Sequence, residues 1–353
     1  MKQQRAAVAM SGGVDSSLAA FLLRERGYDV FGATMYLTPE SEEAVKEAKQ
    51  AADDIGIEHY VFDMQALFRE KVIESFAGMY KSGRTPNPCV ECNRYLKFPA
   101  FWQAAADCGA DFMATGHYVQ LQRSAATGKL ELFKGRDDRK DQSYMLYHLD
   151  QGILEHCIFP LGGYLKEEVR NMAAELGLRS AGKAESQDIC FVPDGDYSSF
   201  LERLSGKSMP EGDIVDSLGN VLGRHKGICS YTVGQRKGLK IARGEPLFVL
   251  DIDGARNEVI VGAANEVFSD GLVAEGISWI DGETLKKEIR AEVKIRYSRS
   301  SAAARILPAG NNQVRVLFDQ PQRAVTRGQS AVFYAGSRLL GGGIISGRII
   351  GGD

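Results

Sequence analysis

No stretch of this 353-residue chain approaches the roughly 18 apolar residues that a membrane-spanning helix needs, so no such span is expected. Strand-forming residues begin almost at once and leave no room for a signal peptide; the expectation is a cytoplasmic protein. Neither sign of charge dominates: 43 Lys and Arg face 46 Asp and Glu, for a net charge of −3. That balance argues neither for nor against a nucleic-acid partner, because a local basic face decides such binding. Cysteine is scarce, at six residues, and in a reducing compartment these are expected to be thiols, catalytic groups or metal ligands rather than disulfides. There is no second C-x-x-C and no clustered histidine pair to complete a structural zinc site. Internal repeats and a low-complexity tail are also missing.

What is there divides into regions of different character. The first 120 residues alternate strand and helix signals at the spacing of repeated βα units. Ala6–Met10 is the first predicted strand, with an amphipathic helix from Leu18 to Gly27. Tyr28–Met35 reads as a strand buried on both faces. Ser41, followed by Glu42 and Glu43, opens a helix running to Gly56. Ile57–Phe62 is a third strand and 66–81 a helix; the proline-rich stretch 83–88 is a loop, and a helix from near Cys92 ends at Gly109. Phe112–Thr115 is the next strand. Beyond about residue 205, glycine becomes frequent and short β-branched runs recur at 258–262, 291–297, 313–318 and 330–334, which predicts a barrel or small sandwich. The expected fold is therefore α/β. A doubly wound parallel-sheet nucleotide domain (1–204) leads into a small connecting domain (205–267) and an all-β, barrel-like domain (268–353).

The strongest local signal is Ser11-Gly12-Gly13-Val14-Asp15-Ser16-Ser17, between the first strand and the first helix. Gly12 and Gly13 let the backbone turn sharply and bring bare N–H groups against an anion. The serines add hydroxyl donors, and the helix N-terminus adds a favourable dipole. A Walker loop would carry G-x-x-x-x-G-K-[ST] and a Rossmann turn G-x-G-x-x-G; neither is present. Asp15 would repel phosphates unless a divalent cation intervened, so Mg²⁺ is expected. The segment resembles the pyrophosphate loop of ATP-pyrophosphatase enzymes such as GMP synthetase and argininosuccinate synthetase, which cleave ATP between the α and β phosphates and adenylate a carbonyl oxygen.

Cys89 and Cys92 form a C-x-x-C where the proline-rich loop meets a helix. A helix N-terminus lowers a thiol pKa, so reactive thiolates near neutrality are expected there. Read from the residues alone, sulfur or iron–sulfur chemistry competes with accidental buried thiols. Cys108, Cys157 and Cys229 sit in settings that suggest packing.

From the run Gly83-Arg84-Thr85-Pro86-Asn87-Pro88 through Cys92-Asn93 to Lys97-Phe98, the chain resembles the tRNA-specific 2-thiouridylases. The likeness continues in order through Ala114-Thr115-Gly116-His117-Tyr118, Lys140-Asp141-Gln142-Ser143-Tyr144 and Asp188-Ile189-Cys190-Phe191. It runs on through residues 234–239, 293–297, 328–334 and 340–343, so it spans nearly the whole chain. Members of that family thiolate C2 of the wobble uridine, residue 34 of certain tRNAs, through an adenylated intermediate. The resemblance implies a tRNA substrate, ATP with Mg²⁺, and a protein or sulfide source that delivers sulfur.

Residue by residue, the resemblance implies Cys190 as persulfide carrier and Cys92 as the nucleophile that helps release the sulfur, through a transient Cys92–Cys190 disulfide. It implies ATP contacts from Ala9, Met10, Ser11, Gly12, Gly13, Val14, Asp15 and Ser16, and from Met35 and Gly116. On composition alone a strand-end Met such as Met35 is more often core. Asn87, Pro88 and Cys89 would face the target base, which must leave the anticodon stack to react. His117, Lys140, Asp141, Gln142, Arg296, Tyr297 and Gln329 correspond to tRNA-contacting positions. The chain departs from the family at Cys89, where many members carry Asp, which puts that carboxylate's acid–base role in doubt. Cys89, Cys92 and Cys190 also suit three-thiolate ligation of a [4Fe–4S] cluster, as in related sulfur-transferring members of the superfamily. Relay and cluster both stay open at this point.

Between Lys286 and Arg305, seven Lys/Arg (286, 287, 290, 294, 296, 299, 305) face two Glu, and 224–243 is also basic. A strand-borne basic stripe with Tyr297 interleaved favours RNA, and Arg296→Ala is expected to weaken tRNA binding and flatten its salt dependence. The rival readings are an ammonia-dependent adenylating synthetase, which needs neither Cys92 nor Cys190, and a non-catalytic RNA-binding protein with a relic nucleotide fold.

Overall fold

The computed structural model describes residues 3–182, 189–192, 194–241, 245–298 and 300–351. Asp188, Arg299 and the end of the basic 224–243 segment lie outside them. The expected α/β layout is present as three sheets.

The N-terminal sheet is parallel throughout, with order β3-β2-β1-β4-β7. Its strands are β1 (Arg5–Ala9), β2 (Asp29–Tyr36), β3 (Glu58–Asp63), β4 (Phe112–Ala114) and β7 (Cys157–Ile158). Five consecutive buried residues in β2 reflect helices on both faces. Helix α1 (Val14–Glu25) begins four residues ahead of the expected Leu18, because Gly13 is already extended and Val14, Ser16 and Ser17 are buried. Helix α2 (Glu42–Ile55) ends at Gly56, whose φ of 76° suits a residue without Cβ. Ser41 precedes α2 as expected, but its hydroxyl donates back to the Thr38 carbonyl (2.6 Å) instead of capping the helix.

Two helical runs are interrupted by π-helical turns. One passes from α3 (Gln65–Phe68) through 69–74 into α4 (Ser75–Lys81), and the other from α5 (Pro88–Cys92) through 93–100 into α6 (Phe101–Asp107). The second run starts at Pro88, not near Cys92. Proline is well suited to the first helical position, where its missing N–H would have no partner anyway. The domain is completed by α7 (Gln151–Leu154), α8 (Lys166–Glu175) and α9 (Tyr197–Ser205).

The connecting sheet has order β10-β11-β8-β9, from β8 (Gly212–Asp216), β9 (Val221–His225), β10 (Phe248–Asp253) and β11 (Glu258–Gly262). The last sheet closes on itself. In chain order its strands are β12 (Phe268–Trp279), β13 (Ile289–Lys294), β14 (Ala302–Pro308), β15 (Gln313–Arg323), β16 (Ser330–Ala335) and β17 (Arg338–Ile349). Because β12 pairs with both β15 and β17, the ring is a six-stranded barrel. Leu272, Ile306, Val316, Phe333 and Ile345 fill its interior.

One feature crosses the expected division. The hairpin β5 (Val119–Arg123) and β6 (Leu130–Lys134) belongs by sequence to the nucleotide domain, yet β6 pairs with β17 at Leu132↔Leu339 and Phe133↔Arg338. Tyr144, Tyr147, Val332 and Tyr334 accordingly share one core with Phe31 and Phe101 of the parallel-sheet domain.

Candidate functional site

The order of the parallel sheet reverses between β1 and β4, and the crevice beyond the carboxyl ends of those strands is where open α/β sheets bind ligands. The loop after β1 is Met10–Gly13. Gly12 has φ 72°, and a Cβ there would lie 2.8 Å from Glu47 Cβ, so glycine is required by both backbone and packing. Ser16 and Ser17 hydroxyls donate to the Gly13 carbonyl (3.1 and 3.0 Å), and Ser11 N–H donates to Ser16 Oγ at 3.2 Å. Met10 and Val14 are buried and fix the loop's base. Met10 N–H donates to Ala33 O (2.8 Å), and Met10 O accepts from Thr34 Oγ1 (3.0 Å). Ala9 and Met35 are half-buried at the ends of β1 and β2, and both pack on the main core.

Gly116 lies against α1. A Cβ there would stand 2.9 Å from Asp15 Cβ and 3.0 Å from the Asp15 backbone. Room for the first turn of α1 therefore requires this glycine.

Asp15 is not a bare carboxylate. Lys166 Nζ is 2.7 Å from each of its oxygens, and Tyr118 O–H donates to Oδ1 at 2.7 Å. The loop has no lysine of its own; one arrives from the start of α8, about 150 positions along the chain. No local sequence signal marks Lys166, which stands beside Glu167 and Glu168 like any helix-start residue. The residues fit Mg²⁺: the cation usually binds through one or two carboxylates plus substrate phosphates, and Asp15 is a carboxylate at the phosphate loop.

Between the cradle and the thiols lie residues of two segments, 97–98 and 116–117. Gly116 touches Asp15; His117, next in sequence, lies 5.7 Å from the Phe98 ring; Lys97, next to Phe98, acts on the charges of Cys89, Cys92 and Cys190. Cys89 and Cys92 stand on α5. Cys190 is held by its neighbour Phe191, which packs against Phe68 (5.6 Å), Phe76 (5.3 Å) and Phe200 (5.3 Å). The three thiols are close enough for their charges to interact.

Their acidity departs from expectation. Burial pushes all three upward, Cys92 to about 12, and Lys97 opposes the shift at each. Cys89 and Cys190 remain accessible, with protein crowded around the sulfur, whereas Cys92 is partly covered. Cys92 closes a five-residue helix that runs straight on into the next turn, so no free N-terminal dipole lowers it. All three rest as thiols at neutral pH. Among the described residues, no three His, Cys, Asp or Glu side chains are placed to hold a metal ion. The donor set thus does not fit the cluster reading.

Several expected RNA contacts have other occupations. His117 is 8% exposed, pairs through Nδ1 with Thr115 Oγ1 (2.8 Å), and burial lowers its pKa well below the usual imidazole value. It is a neutral interior group in this state. Asp141 is 5% exposed and accepts from Gly135 N–H, Ser143 N–H and Ser143 Oγ–H, so it shapes the 135–143 turn rather than facing solvent. Gln142 accepts from Tyr118 N–H (3.0 Å), while Lys140 is half-exposed beside it.

Arg296 and Tyr297 lie just past β13 rather than on it. The Arg296 guanidinium donates to Val233 O (3.0 Å), Ala324 O (3.3 Å) and Thr326 Oγ1 (2.6 Å), tying the barrel to the connecting domain. Tyr297 is exposed, with Lys294 Nζ 5.4 Å from its ring. Two more charges of the stripe are paired, Arg290 with Asp319 and Arg305 with Glu288. Gln329 donates to Thr85 O (3.1 Å) and Pro86 O (3.2 Å), fastening the barrel to the loop that leads through Asn87 into α5. There Asn87 is half-buried, Pro88 buried and Cys89 exposed.

Residues 4–194 match the family model described as the tRNA methyl transferase HUP domain. Residues 198–263 match its PRC-barrel domain, and residues 269–345 match an aminomethyltransferase β-barrel domain. A protein of Clostridioides difficile named tRNA-specific 2-thiouridylase MnmA is 44% identical over 96% of this chain and 97% of its own length. The chain belongs to the tRNA-specific 2-thiouridylase MnmA family. A relative of the same name from Halothermothrix orenii is 46% identical over 97% of this chain and 98% of its own. Another MnmA, from Clostridium botulinum strain Okra, is 46% identical over 98% and 99%. The domain models speak of methyl transfer, but the full-length MnmA relatives are named for thiolation, which suits a phosphate loop joined to three thiols.

Proposed function

We propose that this chain thiolates C2 of uridine 34 in tRNA at the expense of ATP. The observation that carries the reading is that one chain holds a phosphate cradle, with Gly116 packed on Asp15, together with three thiols, Cys89, Cys92 and Cys190, near enough for their charges to interact. A uridine C2 carbonyl is a poor electrophile, and its oxygen departs poorly. Attack of that oxygen on the α-phosphate of ATP expels pyrophosphate and turns the oxygen into part of an AMP leaving group. The loop N–H groups and the Ser11 hydroxyl hold the phosphates, the Ser16 and Ser17 hydroxyls being given to the Gly13 carbonyl, and bound Mg²⁺ would supply charge neutralisation near Asp15.

The sulfur step is assigned to two cysteines. A sulfur-donor protein leaves a persulfide on Cys190, which is accessible for loading. Its terminal sulfur attacks C2 and AMP departs, leaving the base joined to Cys190 through a disulfide. Cys92 then attacks the Cys190 sulfur, its thiol proton passing to the departing 2-thiouridine, and a Cys92–Cys190 disulfide remains for an external thiol to reduce. Asn87, Pro88 and Cys89 form the rim that receives the flipped base. Lys140, Gln142 and Tyr297, half-exposed or exposed, are assigned to tRNA contact. With a tRNA substrate and a need for reductant, the cytoplasm is the compartment this chemistry suits.

The test supplies the purified chain with unmodified tRNA, MgATP and a persulfide-charged donor. Nucleoside mass analysis is expected to give 2-thiouridine, with AMP and pyrophosphate released in step. ATP turnover that depends on ammonium, with no sulfur incorporated, would establish the rival ligase reading instead.

A further inference from the structure

Lys166 is a cation inside the cradle that the reaction as described leaves unused. It is 6% exposed, and Nζ reaches both Asp15 oxygens at 2.7 Å. Its position is built from several sides. Lys166 N–H donates to Asp137 Oδ2 (3.0 Å), and Leu165 N–H donates to Glu168 Oε2 (2.7 Å). Glu168 in turn pairs with Arg136 at 3.1 Å, so the start of α8 is pinned to the turn that also holds Asp141. On the other side, Tyr118 donates to Asp15 Oδ1, and its ring lies 5.7 Å from Lys166 Nζ.

Two electrostatic difficulties meet here. A carboxylate on the first turn of α1 repels phosphates, and an ammonium this deeply buried is costly without a partner. While no phosphate is present, each charge satisfies the other. An arriving polyphosphate carries several negative charges to the segment Met10–Ser17, which contains no Lys or Arg. It competes with Asp15 for the Lys166 ammonium.

Resting on the ATP reading above, we propose that Lys166 changes partners: it pairs with Asp15 in the resting enzyme and turns to the phosphates of ATP on binding, leaving the Asp15 carboxylate open to the divalent cation. The nucleotide and its cation are thus admitted together, and neither charge is left unpaired in the crevice.

The test measures ATP binding to the full chain by calorimetry, once with a chelator and once with excess Mg²⁺, for wild type, Lys166→Met and Asp15→Asn. Lys166→Met is expected to weaken metal-free ATP binding about 10- to 100-fold. The loss should be smaller with Mg²⁺, because the freed carboxylate holds the cation. Asp15→Asn is expected to act with the opposite sign, tightening metal-free ATP and shrinking the gain that Mg²⁺ gives. A purely structural role would move both variants in one direction for both forms of the nucleotide, and that result overturns the proposal. Should Lys166→Met fail to fold, the Asp15→Asn comparison decides alone: no tightening of metal-free ATP rejects the exchange. Absence of ATP binding by wild type in both conditions would instead sink the nucleotide reading on which the exchange rests.

Discussion

Phe191 packs edge-on against Phe68 at 5.6 Å, and through this contact Cys190 is held near Cys92, which lies 98 positions earlier in the chain. The aromatic cluster of Phe68, Phe76, Phe191 and Phe200 anchors the sulfur-bearing segment by packing beside it. Aromatic pairs of this geometry contribute about 0.5–1.5 kcal/mol each beyond their buried area. Phe191→Ala should therefore slow the sulfur step at least about tenfold while leaving ATP affinity near wild type. Nucleoside mass analysis and nucleotide titration on the same preparation separate the two effects.

Cys92→Ser and Cys190→Ser distinguish thiolation from ammonia ligation. Each is expected to abolish 2-thiouridine, whereas ATP binding stays within about twofold, because neither sulfur touches the cradle. An ammonia-dependent synthetase would tolerate both substitutions. Cys89→Ser is expected to retain product, since the relay uses the other two cysteines.

Cys92 gives a pH signature. With its thiol pushed by burial to about 12, it is protonated near neutrality, and iodoacetamide labelling should stay slow at pH 7 and climb across pH 9–12. Peptide mass analysis reads the modified fraction. Labelling of Cys92 that saturates by pH 8 would contradict the burial described here.

Buried His117 and half-buried His148 predict acid sensitivity. Burial holds His148 down at about 3 and lowers His117 well below its usual value, so both are neutral when folded. Below pH 6.5 the unfolded chain takes up protons that the folded chain refuses. Stability contributed by these groups is complete above that pH and falls as the solution is acidified, by at most about 1.4 kcal/mol per pH unit for each histidine. Melting temperatures between pH 7.5 and 5 should show the slope, and His148→Asn should reduce it.

Arg296 tests the difference between a charge read from sequence and a charge seen in place. Its guanidinium already bonds Val233 O, Ala324 O and Thr326 Oγ1. Arg296→Ala should lower stability by about 1–3 kcal/mol, the cost of stranding those acceptors, and leave the salt dependence of tRNA binding unchanged. Denaturant melts and a salt series of tRNA affinities are the two measurements, and a flattened salt slope would restore the direct RNA contact.

Periodicity and turn chemistry are local properties, and they were enough for the parallel βα units, the phosphate loop and the change to β structure after residue 205. The ordered motifs from Gly83 to Gly343 were enough for the family. The start of the Cys89–Cys92 helix was missed because a proline-rich run was read as loop throughout, although Pro88 sits well at a first helical position. The thiol acidities were missed for another reason: a dipole is visible in a helix start, but burial by distant side chains is not.

The amino-acid order alone determined the kind of chemistry, because glycine, serine and cysteine at fixed short spacings dictate how a backbone meets phosphate and which sulfurs are at hand. Tertiary structure decided which charges are spent. Lys166 comes to Asp15, Arg296 to Val233 and Gln329 to Pro86 only when segments far apart in the chain pack together. Electrostatics and burial act through space, so the occupation of each of these groups was settled by the fold.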